Sequence, residues 1–256
     1  MEDKGEEILY AVDGGVARIT LNRPAKRNAL NDALVRLLKE ALGRAEGDRA
    51  VRVALITGAG ADFCSGADLS ALQKISQSSV IENLEDARSL MELFALIRHV
   101  RLPVIAAVRG RALAGGCGLA TACDMVLASM SARFGYPEVK IGFVPAMVMA
   151  ILRRNISEKR AFELITRGAE ISATEAERIG LVNQVFDDGA FESEVETYVR
   201  GFEKISPSAV MLSKRLLYQM DAMTFDAALQ SGVDTNAIAR MTEDCRKGIA
   251  RFLKKE

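Results

Sequence analysis

The stretch VIAAVRGRALAGGCGLATAC, residues 104–123, carries the pattern that decides the fold. Its first five residues are apolar and predict a buried strand. The small residues around Gly115 and Gly116 then predict a tight turn into a helix that extends to about residue 123. The same order of strand, glycine turn and helix occurs near residues 51–69. Strands that alternate with helices in this way predict an α/β protein.

Regular structure is predicted on both sides of this stretch. Residues 7–12 and 16–21 flank Asp13-Gly14-Gly15, an arrangement typical of a β-hairpin. Asn31 is a suitable N-cap for the helix that follows. The serine-rich segment 70–79 is the weakest candidate for order in the first half. The remaining predictions are helices over residues 28–46 and 81–100, strands over 51–57 and 125–128, and a short strand over 181–185.

The C-terminal part of the chain has a different pattern. Beyond Pro145 the sequence is mostly helical, and after about residue 195 it predicts helices alone. The segment Ile205-Ser206-Pro207-Ser208 is a natural break between two helices. We therefore expect a core over residues 1–195 and a helical region over residues 196–256, docked on the core or on a partner subunit.

Composition and charge exclude several classes of protein. Lys+Arg and Asp+Glu are both 34 in 256 residues, so the chain lacks the excess positive charge of a nucleic-acid-binding protein. The four cysteines form no CxxC pair and the sequence holds one histidine, so no metal site is expected. The acidic N-terminus does not resemble a signal peptide, and no apolar run is long enough for a membrane span. We expect reduced thiols and a cytoplasmic protein.

The two glycine turns are candidates for a functional site. They are FCSGADL at residues 63–69 and ALAGGCGL at residues 112–119. Small residues allow a ligand to approach the backbone, and a helix that begins at such a turn presents unpaired N–H groups to an anion or an oxyanion. The alternative is that the glycines only permit tight turns. Neither turn matches a phosphate-binding loop or a dinucleotide-binding fingerprint.

Several motifs occur in a characteristic order. They are LNRP at 21–24 with RNAL at 27–30, LITG at 55–58 with the first glycine turn, residues 103–110 with Gly115-Gly116-Cys117, ARFGYPE at 132–138 with Ile141-Gly142 and Pro145, and Ala173, Glu175 and Ala176 with GLVN at 180–183. In this order they resemble the crotonase, or enoyl-CoA hydratase/isomerase, superfamily over roughly residues 6–255.

The resemblance implies a crotonase-like spiral of ββα units with a helical C-terminal region that supports trimerisation. It implies an acyl-CoA substrate whose thioester oxygen is bound by the N–H groups of Ala67 and Gly115. CoA is part of the substrate, so no separate cofactor is expected, and neither nucleic acid nor a membrane is expected as a partner. The implied assembly is a homotrimer or a dimer of trimers.

The resemblance also implies a CoA-binding region. Arg23, Lys26 and Arg27 occupy the positions at which relatives meet the CoA phosphates and the adenine end, and basic side chains suit phosphates. Asp68 and Leu69 complete the first glycine motif and are included in this predicted site. Asp68 is expected mainly to cap the helix that follows. The alternative for the basic residues is ordinary solvated surface charge.

The predicted acid–base residues depart from the family pattern. Hydratases of the family hold a water between two glutamates, and here Glu138 matches the second of them while Gly118 occupies the position of the first. A single carboxylate suits a Δ3,Δ2-enoyl-CoA isomerase, in which it takes a proton from one carbon and returns it to another. Hydration of a 2-enoyl-CoA stays open, because other groups could hold the water.

Other readings concern the pocket and the class of activity. Met147 and Met149 replace glycines common in relatives, which suggests either an apolar acyl pocket or ordinary helix core. Cys64 and Cys117 are interpreted as small packing residues near the site, not as nucleophiles. Tyr136 is interpreted as a core or wall residue, and the alternative is that it reaches the pocket. One rival function is a non-catalytic protein that binds CoA esters or RNA, or serves as a scaffold. Another is decarboxylation or thioester hydrolysis with the same oxyanion-binding turns.

Overall fold

The computed structural model describes the backbone of residues 6–254 and, within that range, all side chains except those of residues 69–72. The strands are β1 (Ile8–Asp13), β2 (Val16–Leu21), β3 (Val53–Gly58), β4 (Val104–Val108), β5 (Arg111–Leu113), β6 (Met125–Ser129), β7 (Arg133–Gly135), β8 (Ile171–Ser172) and β9 (Gln184–Phe186). The helices are α1 (Asp32–Gly47), α2 (Leu69–Gln77), α3 (Val80–His99), α4 (Gly115–Ala122), α5 (Ala146–Asn155), α6 (Glu158–Arg167), α7 (Ala173–Arg178), α8 (Phe191–Arg200), α9 (Pro207–Gln219), α10 (Phe225–Met241) and α11 (Glu243–Leu253).

The main sheet has six strands in the order β1-β2-β3-β4-β6-β9. β1 and β2 form the predicted antiparallel hairpin, and every other neighbouring pair in this sheet is parallel. Gly14 and Gly15 turn the hairpin with φ angles of 54° and 77°, which glycine adopts without strain. The predicted α/β class is therefore confirmed.

Both faces of the central strands β3, β4 and β6 are largely buried, as their apolar runs require, whereas the edge strand β1 is mostly exposed. Along β3, Val53 and Leu55 belong to a core cluster that includes Phe191 of α8. The alternate residues Ala54 and Ile56 belong to the larger cluster, to which α1, α3 and α4 contribute. The period of two along the strand thus directs successive side chains to opposite layers.

Predicted helix starts are confirmed by their capping contacts. The Asn31 side chain accepts a hydrogen bond from the Leu34 N–H at 2.7 Å. The Ser206 side chain accepts one from the Ala209 N–H at the start of α9. These caps satisfy amides that would otherwise lack acceptors at the first turn.

The structure differs from two local predictions. The serine-rich segment forms α2, which contains no Gly or Pro and is tied to α1 by an ion pair of 2.6 Å between Lys74 and Asp32. The predicted strand over 181–185 is shifted, and β9 occupies Gln184–Phe186. The Leu181 N–H instead donates to the Ala176 carbonyl at 2.8 Å. This hydrogen bond satisfies a carbonyl in the last turn of α7, so Leu181 belongs to the C-terminal cap of that helix and not to a strand.

A second, three-stranded sheet, β5-β7-β8, was not predicted. Its strands are two or three residues long, too short for a periodic pattern to stand out in the sequence. β5 pairs with β7 in parallel. β5 leads into α4, and β7 leads into a 3₁₀ helix over Pro137–Ile141, so this sheet sets the relative positions of the two segments.

The C-terminal helices contribute no buried residue to either core cluster: every described side chain of α9, α10 and α11 retains exposure. The predicted boundary between residues 195 and 196 falls inside α8, and the division into two regions stays a prediction. Among the described helices, none combines the length and apolar character needed to cross a membrane.

Candidate active site

Three side-by-side backbone segments bring the predicted catalytic residues to one edge of the small sheet. Cys64 forms a parallel bridge with Ala112, and Ala112 is in parallel register with Phe134. Ala67 lies three residues after Cys64, and Gly115 lies three residues after Ala112. Glu138 lies four residues after Phe134. Parallel segments leave a sheet at the same edge, which is where α/β proteins place their ligands.

Close packing joins the two glycine turns. Gly66 has a φ of 97°, and a Cβ built on it would lie 2.8 Å from the Ala114 Cβ and 3.6 Å from the Gly115 nitrogen. A Cβ on Gly116 would overlap the Cys64 carbonyl. These glycines are therefore required by the contact between the turns as well as by the turns themselves.

The Ala67 amide is directed away from its neighbouring backbone. Leu30 donates its N–H to the Gly66 carbonyl at 2.7 Å and accepts one from Asp68 at 3.0 Å. In such a parallel bridge the N–H of the intervening residue points to the opposite side. The Ala67 N–H donates no hydrogen bond within the described part of the chain, and the residue is exposed.

The Gly115 amide opens helix α4. The preceding residue, Ala114, has the unusual φ of 49° and is held by a hydrogen bond from its N–H to the Gly135 carbonyl at 2.9 Å. No side chain caps the helix, and the Gly115 N–H has no acceptor among the described residues. Strained backbone that leaves an N–H free at a helix start is suited to binding an oxyanion.

Glu138 carries a buried carboxylate oxygen. It lies in the 3₁₀ helix after β7, and Pro137 occupies the first position of that helix. Its Oε2 is buried and has no hydrogen-bond partner among the described residues. Burial raises the pKa of this carboxyl above its ordinary value, which is the direction that suits a general base near neutral pH.

A buried polar contact connects α4, which begins at Gly115, with the segment that contains Glu138. Tyr136 is fully buried, and its hydroxyl lies 2.7 Å from the Thr121 hydroxyl of α4. Cys117 lies beside this tyrosine, and burial raises the pKa of its thiol to about 12. Burial raises the pKa of Cys64 to about 12 as well. All three residues are buried, as packing residues would be, and a raised thiol pKa disfavours the nucleophilic thiolate of the two cysteines.

Gly118, at the position of the missing glutamate, has an apolar environment. It is buried in α4. The side chains nearest to it from neighbouring helices are Phe94 of α3 and Val148 of α5. Sequence reasoning assigned no role to Phe94. No local signal marks it, because it is one of several apolar residues at helical spacing in α3.

The predicted CoA-binding residues divide into two groups. Arg23 is largely enclosed, and its guanidinium binds Asp68 at 2.8 Å, Glu7 at 3.3 Å and the Ala29 carbonyl. Lys26 and Arg27 are exposed beside the first glycine turn, where the Ser65 N–H donates to the Arg27 carbonyl. Contacts of these cations with phosphates stay a prediction. The Leu69 side chain lies outside the described residues, and capping by Asp68 stays a prediction.

Asn28 is a structural residue of the site to which sequence reasoning gave no role of its own. It is fully buried with a φ of 53°. Its side-chain amide donates to the carbonyls of Ala59 and Asp62, and its Oδ1 accepts the Arg23 N–H. The residue thus fastens the Arg27 segment to the loop that leads to Ala67.

Comparisons with known proteins point in one direction. Residues 11–256 match a family model described as "Enoyl-CoA hydratase/isomerase". A 2,3-dehydroadipyl-CoA hydratase of Escherichia coli is 34% identical over 250 residues, covering 97% of this chain and 96% of that protein. A short-chain-enoyl-CoA hydratase of Clostridium acetobutylicum is 33% identical, with coverages of 97% and 95%. The solved structure of an enoyl-CoA hydratase from Mycobacterium smegmatis has a TM-score of 0.94 at 31% identity and covers 98% of both chains.

Proposed function

Because the chain belongs to the enoyl-CoA hydratase/isomerase family, we propose that it catalyses proton transfer on an enoyl-CoA thioester through an enolate. The crotonase-like α/β fold with a helical C-terminal region, expected from the sequence, is confirmed by the structural match. The finer reaction is a shift of the double bond from C3=C4 to C2=C3. The observation that carries this proposal is the carboxylate of Glu138, whose buried Oε2 has no hydrogen-bond partner among the described residues, together with a glycine instead of a second carboxylate at position 118.

In this proposal the Ala67 and Gly115 amides bind the thioester oxygen. Negative charge develops on that oxygen when a proton leaves C2. Rigid backbone donors stabilise it without changing their protonation state, and loss of one such donor costs about 2.7–4 kcal/mol in a comparable site. Their lack of other acceptors within the described residues supports this role.

Glu138 serves as base and then as acid. Its carboxylate takes the C2 proton of a 3-enoyl-CoA, and the electron pair of that bond moves into the dienolate. The protonated Glu138 returns the proton to C4 while the double bond settles between C2 and C3. The carboxylate is regenerated, so neither an oxidant nor a separate cofactor is required.

Hydration of a 2-enoyl-CoA is the second candidate. The names of the relatives from Escherichia coli and Clostridium acetobutylicum, both hydratases, favour it. Against it stands Gly118, which has no side chain to hold or protonate a water. The residues near the reacting carbons therefore favour isomerisation, and the names of the relatives favour hydration.

One pair of assays separates these candidates. Purified protein is incubated with a 3-enoyl-CoA or with crotonyl-CoA, and products are followed by mass spectrometry and absorbance. We expect conversion of the 3-enoyl ester to its conjugated isomer, lost in Glu138→Gln. Hydration of crotonyl-CoA at about 10–1000 per second would refute the preference for isomerisation. Turnover of neither ester would favour decarboxylation, thioester hydrolysis or a non-catalytic binding role.

We further propose a CoA site and an acyl wall around this centre. Lys26 and Arg27 are exposed beside the Ala67 turn and are suited to the CoA phosphates. Met147 and Met149 of α5 are partly exposed and flank Val148, the residue nearest Gly118 on this helix. An apolar wall of this kind would favour a hydrophobic or branched acyl chain, which binding of short, medium and branched acyl-CoAs would test; equal affinities would remove the argument.

The C-terminal helices are proposed as a subunit interface. Phe225, Leu229 and Val233 are exposed by 78%, 57% and 61% and lie at intervals of four along α10. This spacing places them on one face of the helix, and soluble monomers rarely leave such a face uncovered. A homotrimer, or a dimer of trimers, would bury it.

A further inference from the structure

The aromatic ring of Phe94 packs directly against Gly118. A Cβ built on Gly118 would lie 3.1 Å from Phe94 Cζ, 3.5 Å from Phe94 Cε2 and 3.6 Å from Val148 Cβ. The first distance is shorter than ordinary van der Waals contact. Phe94 therefore fills the space into which even a small side chain at position 118 would extend.

Three helices meet at this point and enclose the ring. Phe94 comes from α3, Gly118 from α4 and Val148 from α5. Phe94 and Val148 are each only 4% exposed. The ring is thus held by packing from both sides, and its position does not depend on a polar contact.

The space beside Gly118 is unsuited to water. The three atoms nearest the built Cβ are carbons of Phe94 and Val148, and the Gly118 N–H is already used in a 2.9 Å hydrogen bond to the Ala114 carbonyl. An ordered buried water needs two to four polar partners. A phenyl ring and an isopropyl group supply none.

This dry space lies close to the proposed reaction centre. Gly118 follows Gly115 by three residues in α4, so the two lie on neighbouring turns of one helix face, about 4.5 Å apart along the axis. The Tyr136–Thr121 contact ties the same helix to the segment that carries Glu138. The space beside Gly118 is therefore one helical turn from the amide that is proposed to bind the thioester oxygen.

We propose that Phe94, backed by Val148, is a specificity-determining residue that excludes water from the Gly118 side of the site and so directs the enolate to isomerisation. This inference rests on the proposed function. With water excluded, the proton that Glu138 takes from C2 is returned to C4 of the same substrate. With water admitted, the Glu138 proton exchanges with solvent, and water adds across C2=C3 of the conjugated ester, its hydroxyl joining C3 and its proton C2.

The test enlarges the space beside Gly118 by truncating Phe94 or Val148, and it measures whether the transferred proton exchanges with solvent. Wild type, Phe94→Ala and Val148→Ala are assayed on a 3-enoyl-CoA in D2O, and deuterium in the product and the ratio of hydrate to isomer are measured by mass spectrometry. We expect solvent deuterium in the isomer to rise at least about twofold in both variants. The ratio of hydrate to isomer should rise at least about tenfold.

Phe191→Ala is the matched control. Phe191 is equally buried, but it belongs to the core cluster on the opposite face of the main sheet. It should lower the melting temperature as Phe94→Ala does while leaving the deuterium content and the product ratio unchanged. Val148→Ala keeps the test valid if Phe94→Ala does not fold.

The outcomes separate this inference from the reaction on which it rests. If wild type isomerises the 3-enoyl ester and both cavity variants retain its deuterium content and product ratio, the role of Phe94 is refuted while the proposed reaction stands. If wild type does not isomerise the ester, the proposed reaction fails and this inference fails with it. A parallel change in Phe191→Ala would likewise overturn the assignment to Phe94, because general loosening would explain it.

Discussion

At the scale of single residues, Glu138 combines two properties that rarely occur together in a purely structural carboxylate. One oxygen is buried without a hydrogen-bond partner in the part of the chain that the structure describes, and burial raises the pKa of the group. Native proteins usually pair such atoms, so an unpaired one suggests a ligand-binding or catalytic role. Both properties disfavour the ionised form in the folded protein and have a measurable consequence for stability.

Glu138→Gln is expected to stabilise the fold at neutral pH. Because the folded-state pKa is raised, the native protein binds more protons than the unfolded chain between the ordinary glutamate pKa and the raised one, and stability falls as pH rises through that window. The substitution removes this loss. Thermal unfolding at several pH values should show a higher melting temperature for the variant above the window and a shrinking difference below it. A variant that melts lower at all pH values would contradict this expectation.

The same shift predicts the pH dependence of activity. In the proposed reaction Glu138 must be ionised to accept the C2 proton, so kcat/KM should fall as pH drops through its raised pKa. The acid limb of the profile should therefore lie above the ordinary glutamate pKa of about 4.3. A limb at or below that value would show that the carboxyl is more solvated than its buried Oε2 indicates.

Gly66→Ala tests the proposal that the two glycine turns bind an oxyanion. The new Cβ would lie 2.8 Å from the Ala114 Cβ at a φ of 97°, so the turns that carry Ala67 and Gly115 must move apart. Displacing one oxyanion donor should lower kcat by about 10²–10³-fold. Gly189→Ala is the control, since nothing lies within 4 Å of its Cβ position, and it should retain full activity. Unchanged turnover in Gly66→Ala would argue against the amides as donors.

At the scale of elements, α9 is attached to the core by a buried ionic contact. Lys214 donates to Asp124 at 2.7 Å and to the carbonyls of Ile97 and Leu102, while the Tyr218 hydroxyl donates to the other oxygen of Asp124. Burial raises the pKa of Asp124 and lowers that of Lys214, so the desolvation of both charges opposes their attraction. An intact pair of this kind is therefore expected to add little net stability, whereas removal of one partner is costly.

Lys214→Met should detach α9. Removing Lys214 leaves the Asp124 charge buried without a counter-ion, although the Tyr218 hydroxyl and the Val104 N–H still donate to it, and breaking a buried ion pair costs about 3–5 kcal/mol. Urea unfolding measures the loss, and limited proteolysis near residues 205–206 should become faster. Addition of Asp124→Asn should recover part of the stability. Lys247→Met, which removes an exposed pair with Glu243 on α11, is the control and should cause no measurable change.

At the scale of the whole molecule, the distribution of apolar surface is uneven. The two core clusters are closed around the sheets, whereas the face of α10 defined by Phe225, Leu229 and Val233 is open. The net charge of the chain is zero, so electrostatic repulsion between copies would not oppose association. A second and third copy of the chain are the proposed cover for this face.

Light scattering should therefore give a mass of at least three times the 27.7 kDa of one chain. Leu229→Glu should shift the protein toward the monomer, because a charge cannot be buried in an apolar interface without a partner. Gly43→Glu on α1 is the control, because a Cβ built on Gly43 has no neighbour within 4 Å outside its own helix backbone. It adds the same charge and should leave the mass unchanged. A monomeric wild type would refute the proposed assembly.

The sequence by itself determined the local features of this protein. The hairpin at Gly14-Gly15, the helix start at Asn31 and the alternation of strands and glycine turns follow from patterns within a few residues, and the structure contains all three. The resemblance of its motifs to those of the family also identified Ala67, Gly115 and Glu138 as candidates. Backbone preference and apolar periodicity act over short distances, and this is why they can be read from the sequence alone.

The tertiary structure decided what these residues face. The small sheet, whose strands are too short to predict, brings the Ala67 and Gly115 turns and the Glu138 segment to one edge. The sequence showed that position 118 is glycine, but only the packing of α3 against α4 and α5 showed that Phe94 fills the adjacent space. Such contacts join residues far apart in the chain, and they depend on side-chain volumes that have no periodic signature.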